Sequence, residues 1–75
     1  MAHIETKKEQ VYVLFWHGWE DRGILSISKD RATAMNDWRK YSNNPRLISE
    51  FIGNDNIERA VANDPDDAIE VWDVQ

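Results

Sequence analysis

Cysteine is absent from this 75-residue chain, so neither a disulfide framework nor a thiolate zinc site is open to it. Glycine is nearly as scarce: Gly18, Gly23 and Gly53 are the only three, none spaced as G-x-G-x-x-G or followed by Lys-Ser or Lys-Thr, which argues against a phosphate-binding loop. No apolar run approaches the roughly 20 residues of a membrane-spanning helix, and Met1 to Gln10 is polar and charged without the apolar core of a signal peptide. The default expectation is a cytoplasmic protein with no membrane contact. Positive charge is thin as well. Residues 1–40 hold seven Lys/Arg against six Asp/Glu, and residues 41–75 hold two against eight, so the net charge of −5 belongs to the second half. The largest basic clusters are the pairs Lys7-Lys8 and Arg39-Lys40. A face able to neutralise phosphates is missing, and direct binding of nucleic acid or of an anionic membrane is disfavoured.

What the chain does have is a globular composition, 41% hydrophobic and 31% charged, outside the regime of disordered sequences. A domain of this size removes only about 60% of its unfolded surface from water, so packing or self-association must supply its stability. Gln10 to Trp16 (QVYVLFW) is rich in β-branched and aromatic residues and reads as a strand. Val11, Val13 and Phe15 alternate with Tyr12, Leu14 and Trp16, so the strand is apolar on both faces. His17 to Gly23 suits a hairpin loop, and Ile24 to Ser28 the returning strand. Ser28 can cap a helix over Lys29 to Tyr41, whose Ala34, Met35, Trp38 and Tyr41 form one stripe.

After the turn at Ser42-Asn43-Asn44, Pro45 suits the first position of another helix carrying Leu47, Ile48, Phe51 and Ile52, ended by Gly53. Asp55 and Glu58 have capping-box spacing ahead of Ile57, Ala60 and Val61, which predicts a third helix. In the tail, Asp64-Pro65 with Asp67 suits a helix start, whereas Ile69, Val71, Trp72 and Val74 favour a strand, and the short length favours the strand. The expected fold is a small α+β domain over residues 10–75 after a flexible segment 1–9. It has an antiparallel sheet of about three strands, an N-terminal hairpin plus a C-terminal strand, with helices packed on one face. The other face has no evident cover, which points to a homodimer or docking on a larger protein. Tyr12, Leu14 and Trp16 are the self-association candidates.

Chemistry is sparse. Ser26, Ser28, Ser42 and Ser49 fit strand, cap and turn positions better than a nucleophile's. His17, with Trp16, Trp19, Glu20 and Asp21 nearby, makes a possible small site, but a loop histidine is more often simply exposed. The run Asp64, Asp66, Asp67, Glu70, Asp73 offers oxygen ligands, yet counted from Asp64 the calcium-loop pattern needs Gly where Ile69 stands and Glu where Gln75 stands. Capping at Asp67 and a solvated strand face account for it without a metal. The expectation is no enzyme, no cofactor and no metal. The leading reading is an acidic protein-binding module that docks on a basic surface through Asp55, Glu58, Asp64, Asp66, Asp67, Glu70 and Asp73, anchored by Trp19 or Trp72. In size, acidity and lack of cysteine, and in nothing more specific, the chain resembles small inhibitors encoded by bacteriophages and mobile elements. That resemblance implies occupation of a protein's nucleic-acid groove. The alternatives are a structural or regulatory homodimer and, less favoured, a small His or metal site.

Overall fold

The apolar run at the start of the chain becomes the middle strand of the sheet. The computed structural model describes residues 9–53 and 59–74. Strand β1 (Glu9–His17) pairs antiparallel with β2 (Arg22–Ser28) on one edge and with β3 (Ile69–Val74) on the other, in the order β2-β1-β3. Between β2 and β3 in the chain lie helix α1 (Arg31–Asn43), α2 (Arg46–Ile52) and the one-turn α3 (Pro65–Ala68), which leads directly into β3. The α+β class and the three-stranded antiparallel sheet agree with the sequence pattern. Among the described residues no helix is long and apolar enough to cross a membrane.

Both faces of β1 carry buried side chains, but they are buried by different means. Leu14 and Trp16 point under the helices, where they pack with Leu25, Ile48, Val61 and Ala68, and with the partly buried Trp38, Tyr41, Ile52 and Ile69. Val13 and Phe15 are also buried, yet they stand outside that cluster, on the face away from the helices. The register of β1 with β2 shifts between Leu14 and Phe15, which face Ser26 and Ile24 respectively. Leu25 is the unpaired residue of the resulting bulge. The bulge turns Leu25 into the core and leaves both Ile24 and Ile27 on the outer face, where strict alternation would have separated them. Its cost is visible at Ser26, which is carried inward with its hydroxyl buried and without a hydrogen-bond partner.

Several boundaries differ from the sequence reading for local reasons. Glu9, placed in the flexible segment, is the first residue of β1, and residues 1–8 lie outside the described residues. Arg22 and Gly23 belong to β2, so the connecting loop shrinks to Gly18–Asp21, closed by a hydrogen bond from the Gly18 N–H to the Asp21 carbonyl. The cap of α1 is Asp30, not Ser28. Its carboxylate accepts from the Thr33 backbone N–H at 2.8 Å and from the Thr33 hydroxyl, a shorter span than the reach from Ser28, which stays in the ladder opposite Tyr12. Gly53 takes the left-handed conformation expected of it, with φ 76°. The proposed start of a third helix at Asp55 to Glu58 lies outside the described residues. Where that helix would have continued, Ala60 instead exchanges two backbone hydrogen bonds with His17, at 2.8 and 3.0 Å. In the tail Asp64, rather than Asp67, is the cap, accepting from the Asp66 N–H. Both readings of the tail are realised in succession, one turn of helix and then the strand.

Gly23 is required for space. A β-carbon there would lie 2.5–2.6 Å from three atoms of the Trp16 indole, and that buried ring is further held by the Arg59 guanidinium 4.7 Å from its centroid. Gly23→Ala should therefore destabilise the fold by about 1–3 kcal/mol, the usual cost of overpacking a core. Urea denaturation followed by tryptophan fluorescence measures it, and an unchanged midpoint would contradict this packing.

Candidate functional site

Three surfaces are candidates: the acidic tail, a cleft beside the hairpin loop, and the outer face of the sheet. The acidic residues do not form one surface. Asp55 and Glu58 lie outside the described residues. Asp64 is occupied as a helix cap, Asp66 accepts from the Arg31 guanidinium at 2.7 Å, and Asp67 is exposed on the same short helix. Strand alternation then separates the last two. Asp73, opposite Gln10, accepts from its side-chain amide at 3.1 Å on the helix side of the sheet, whereas Glu70, opposite Val13, stands on the outer face. Asp64, Asp66 and Asp67 are thus gathered at one place, and Glu70 and Asp73 are engaged elsewhere.

The cleft has a volume of about 670 Å³ and is formed by His17, Gly18 and Trp19 at the end of β1, by Pro45, Arg46 and Ser49 of the second helical region, and by Arg59 and Ala60. Two of these residues, His17 and Ala60, are joined by a backbone bridge. Its cations suit a small anion chemically, although the Arg59 guanidinium is already stacked on Trp16 and 4.0 Å from Asp21. Trp19 stands at its lip, 91% exposed. His17 is exposed there, away from Trp16, which is buried in the core. Among the described residues no three of His, Asp and Glu come together in a way that could hold a metal ion.

The outer sheet face is the third candidate. Cross-strand register puts Val11, Val13 and Phe15 of β1 beside Ile24 and Ile27 of β2 and beside Glu70, Trp72 and Val74 of β3. Ile24, Ile27, Trp72 and Val74 keep 39, 60, 41 and 44% of their surface in solvent. The self-association candidates Tyr12, Leu14 and Trp16 lie on the opposite, helix-covered face. Leu14 is fully buried and Trp16 nearly so, which leaves neither side chain accessible to a second chain; on the outer face Val13 and Phe15 are equally buried, and the exposed side chains are Ile24, Ile27, Trp72 and Val74. Trp72, selected as an aromatic anchor, does stand on the outer face, its ring 6.0 Å from that of Phe15.

One polar bridge crosses this face. Arg22 reaches from β2 over the Phe15 ring, 4.5 Å from its centroid, and donates to Glu70 of β3 at 2.8 Å. The Trp72 indole N–H donates to the other carboxylate oxygen at 3.0 Å. Neither Arg22 nor its pairing with Glu70 stands out in the sequence, because Arg22 reads as a loop residue and the two meet only once β3 lies on the far side of β1. No protein-family model, curated protein or solved structure matches the chain.

The hydrogen bonds to Glu70, first from Trp72 and then from Arg22, hold its carboxyl below the ordinary value of 4.5. A depressed carboxyl pKa contributes stability that is complete above the unfolded value and is lost as pH falls through the folded one. The Trp72 indole proton resonance should accordingly titrate with its midpoint below pH 4.5. Glu70→Gln should abolish that titration. A shift centred above pH 4.5 in the unmodified protein would show that the bond does not persist in solution.

Proposed function

We propose that this chain is a non-enzymatic protein-binding module whose binding surface is the uncovered face of its sheet. The observation that carries this reading is the concentration of Ile24, Ile27, Trp72 and Val74, all substantially exposed, on one face of a three-stranded sheet. Scattered exposed apolar residues are ordinary, but a contiguous patch on a small monomer usually serves contact with another molecule. The centre of the patch is aliphatic and aromatic, crossed by the Arg22–Glu70 pair, with Glu9 and His17 at its ends. Trp72 would act as its anchor, aromatic residues being among those that carry most binding energy in protein interfaces.

A second reading keeps the acidic residues as the contact, with Asp64, Asp66 and Asp67 of α3 facing a basic surface and, in its sharpest form, displacing nucleic acid from it. What favours it is the clustering of those three exposed carboxylates on a single helical turn. The two readings differ in their response to salt, since surface charge pairs are screened over about 8 Å at physiological ionic strength while apolar contacts are not.

The test compares two folded variants as bait for proteins that the unmodified chain retains. Ile27→Asp should lower retention at least about tenfold, the scale of losing a central interface residue, while the double variant Asp66→Lys/Asp67→Lys leaves it unchanged. The opposite pattern, with release by moderate salt, would assign the function to α3 instead.

A further inference from the structure

We infer that the cleft between the hairpin loop and α2 is a binding site for a small phosphate ester carrying a planar ring, of the chemical class of a mononucleotide. This site is separate from the sheet face and does not rest on it. Its volume of about 670 Å³ lies within the range of small-molecule sites. The charge of its walls runs against that of the chain. The sequence holds fourteen Asp/Glu against nine Lys/Arg, yet the walls include Arg46 and Arg59 and, among the described residues, no carboxylate. Two guanidinium groups, each a planar fork of N–H donors, select an oxygen-rich anion.

The two arginines play different parts. Arg59 is held in place: its side chain is 5% exposed, its guanidinium lies 4.7 Å from the Trp16 ring centroid, and the Asp21 carboxylate stands 4.0 Å from it. That separation is the outer limit of an ion pair and too long for a hydrogen bond, so an oxyanion in the cleft competes with a loosely placed carboxylate. Arg46 is exposed at the start of α2 and, among the described residues, has no ion-pair partner. Ser49, three residues further along α2, lies on the same side of the helix and adds a hydroxyl to the wall. A phosphate monoester offers three terminal oxygens, enough to accept from both guanidinium groups and the hydroxyl, whereas a carboxylate offers two. Side chains supply the donors here, so the absence of a glycine-rich loop does not bear on this site.

Trp19 points to the rest of the ligand. Its indole is 91% exposed, borders the cleft, and sits on a short loop closed by the bond from the Gly18 N–H to the Asp21 carbonyl at 2.9 Å. A ring so placed is a ready platform for a flat group attached to the phosphate, and stacking on it tolerates many ring types. His17 also borders the cleft, but strand alternation sends its side chain to the outer face opposite Arg22, so it is outside the ligand set.

The decisive experiment titrates the whole chain with adenosine 5′-monophosphate, read by calorimetry and by the indole N–H signals of the four tryptophans. The nucleotide should bind with a dissociation constant of about 10–1000 µM and move the Trp19 signal. Adenosine and inorganic phosphate should each bind at least about tenfold more weakly. A Trp19 signal unmoved by the nucleotide at about 10 mM would overturn the site, and phosphate binding as tightly as the nucleotide would overturn the ring. Arg46→Gln and Trp19→Ser replace exposed side chains, so both variants should fold. Each should weaken binding about tenfold or more, the scale of losing a charge-assisted hydrogen bond or a stacked ring. Lys29→Gln removes the same charge from an exposed position outside the cleft and should leave affinity unchanged. An equal loss in the Lys29 and Arg46 variants would reduce the effect to net charge and overturn the site. Arg59 is packed on Trp16, so its part is read through Asp21→Asn, which removes the competing carboxylate. That variant should bind about two- to fivefold more tightly, the range of an exposed charge pair; unchanged or weaker binding would overturn the role of Arg59.

Discussion

The constraint from which the rest follows is that β1 is apolar on both faces and needs pairing on both edges. The ladder requirement is met inside the chain, by β2 on one side and β3 on the other. Side chains of β1 are buried on both faces, but only one face lies under the helices. Leu14 is sealed under α1, α2 and the Val61 segment, while Val13 and Phe15 are screened largely by their strand neighbours, by the arm of Arg22 and by Trp72. Among the described residues every helix lies on the Leu14 and Trp16 side. The uncovered face is a product of length and pattern together.

Much of this was legible from the residues because local signals agree with one another there. The run from Val11 to Trp16 could only be a strand, Gly53 only a helix end, and the Ala34, Trp38, Tyr41 stripe only an inward helical face. What was not legible depends on choices between equals. Ser28 and Asp30 are both good caps two residues apart, and the pairing of Ser28 with Tyr12 decided for Asp30. Tyr12, Leu14 and Trp16 look as suited to an open face as Val11, Val13 and Phe15. The difference lies in long-range packing, with Trp16 settling over Gly23 and under Arg59.

The candidate surface was harder still, because charge counted along a sequence is not charge gathered in space. Five acids between Asp64 and Asp73 look like a patch, yet the change from helix to strand at Ile69 sends Glu70 and Asp73 to opposite sides of the sheet. Conversely Ile24 and Ile27, three apart, belong to different faces of any regular strand, and only the bulge at Leu25 unites them. A single irregularity in the ladder thus decides the shape of the apolar face, at the expense of an unsatisfied hydroxyl at Ser26.

The adjacency of β1 and β3 has a consequence for how the protein comes into being. Glu9 pairs with Val74, so the central strand waits for the last strand to be synthesised before its second edge is closed. Until then a nascent hairpin displays one of the most aggregation-prone segments of the chain along an open edge, a template for any other extended chain nearby. The acidic turn Asp64-Pro65-Asp66-Asp67 immediately precedes β3. A charged, proline-containing approach of this kind is one that disfavours mispairing of the strand that follows it.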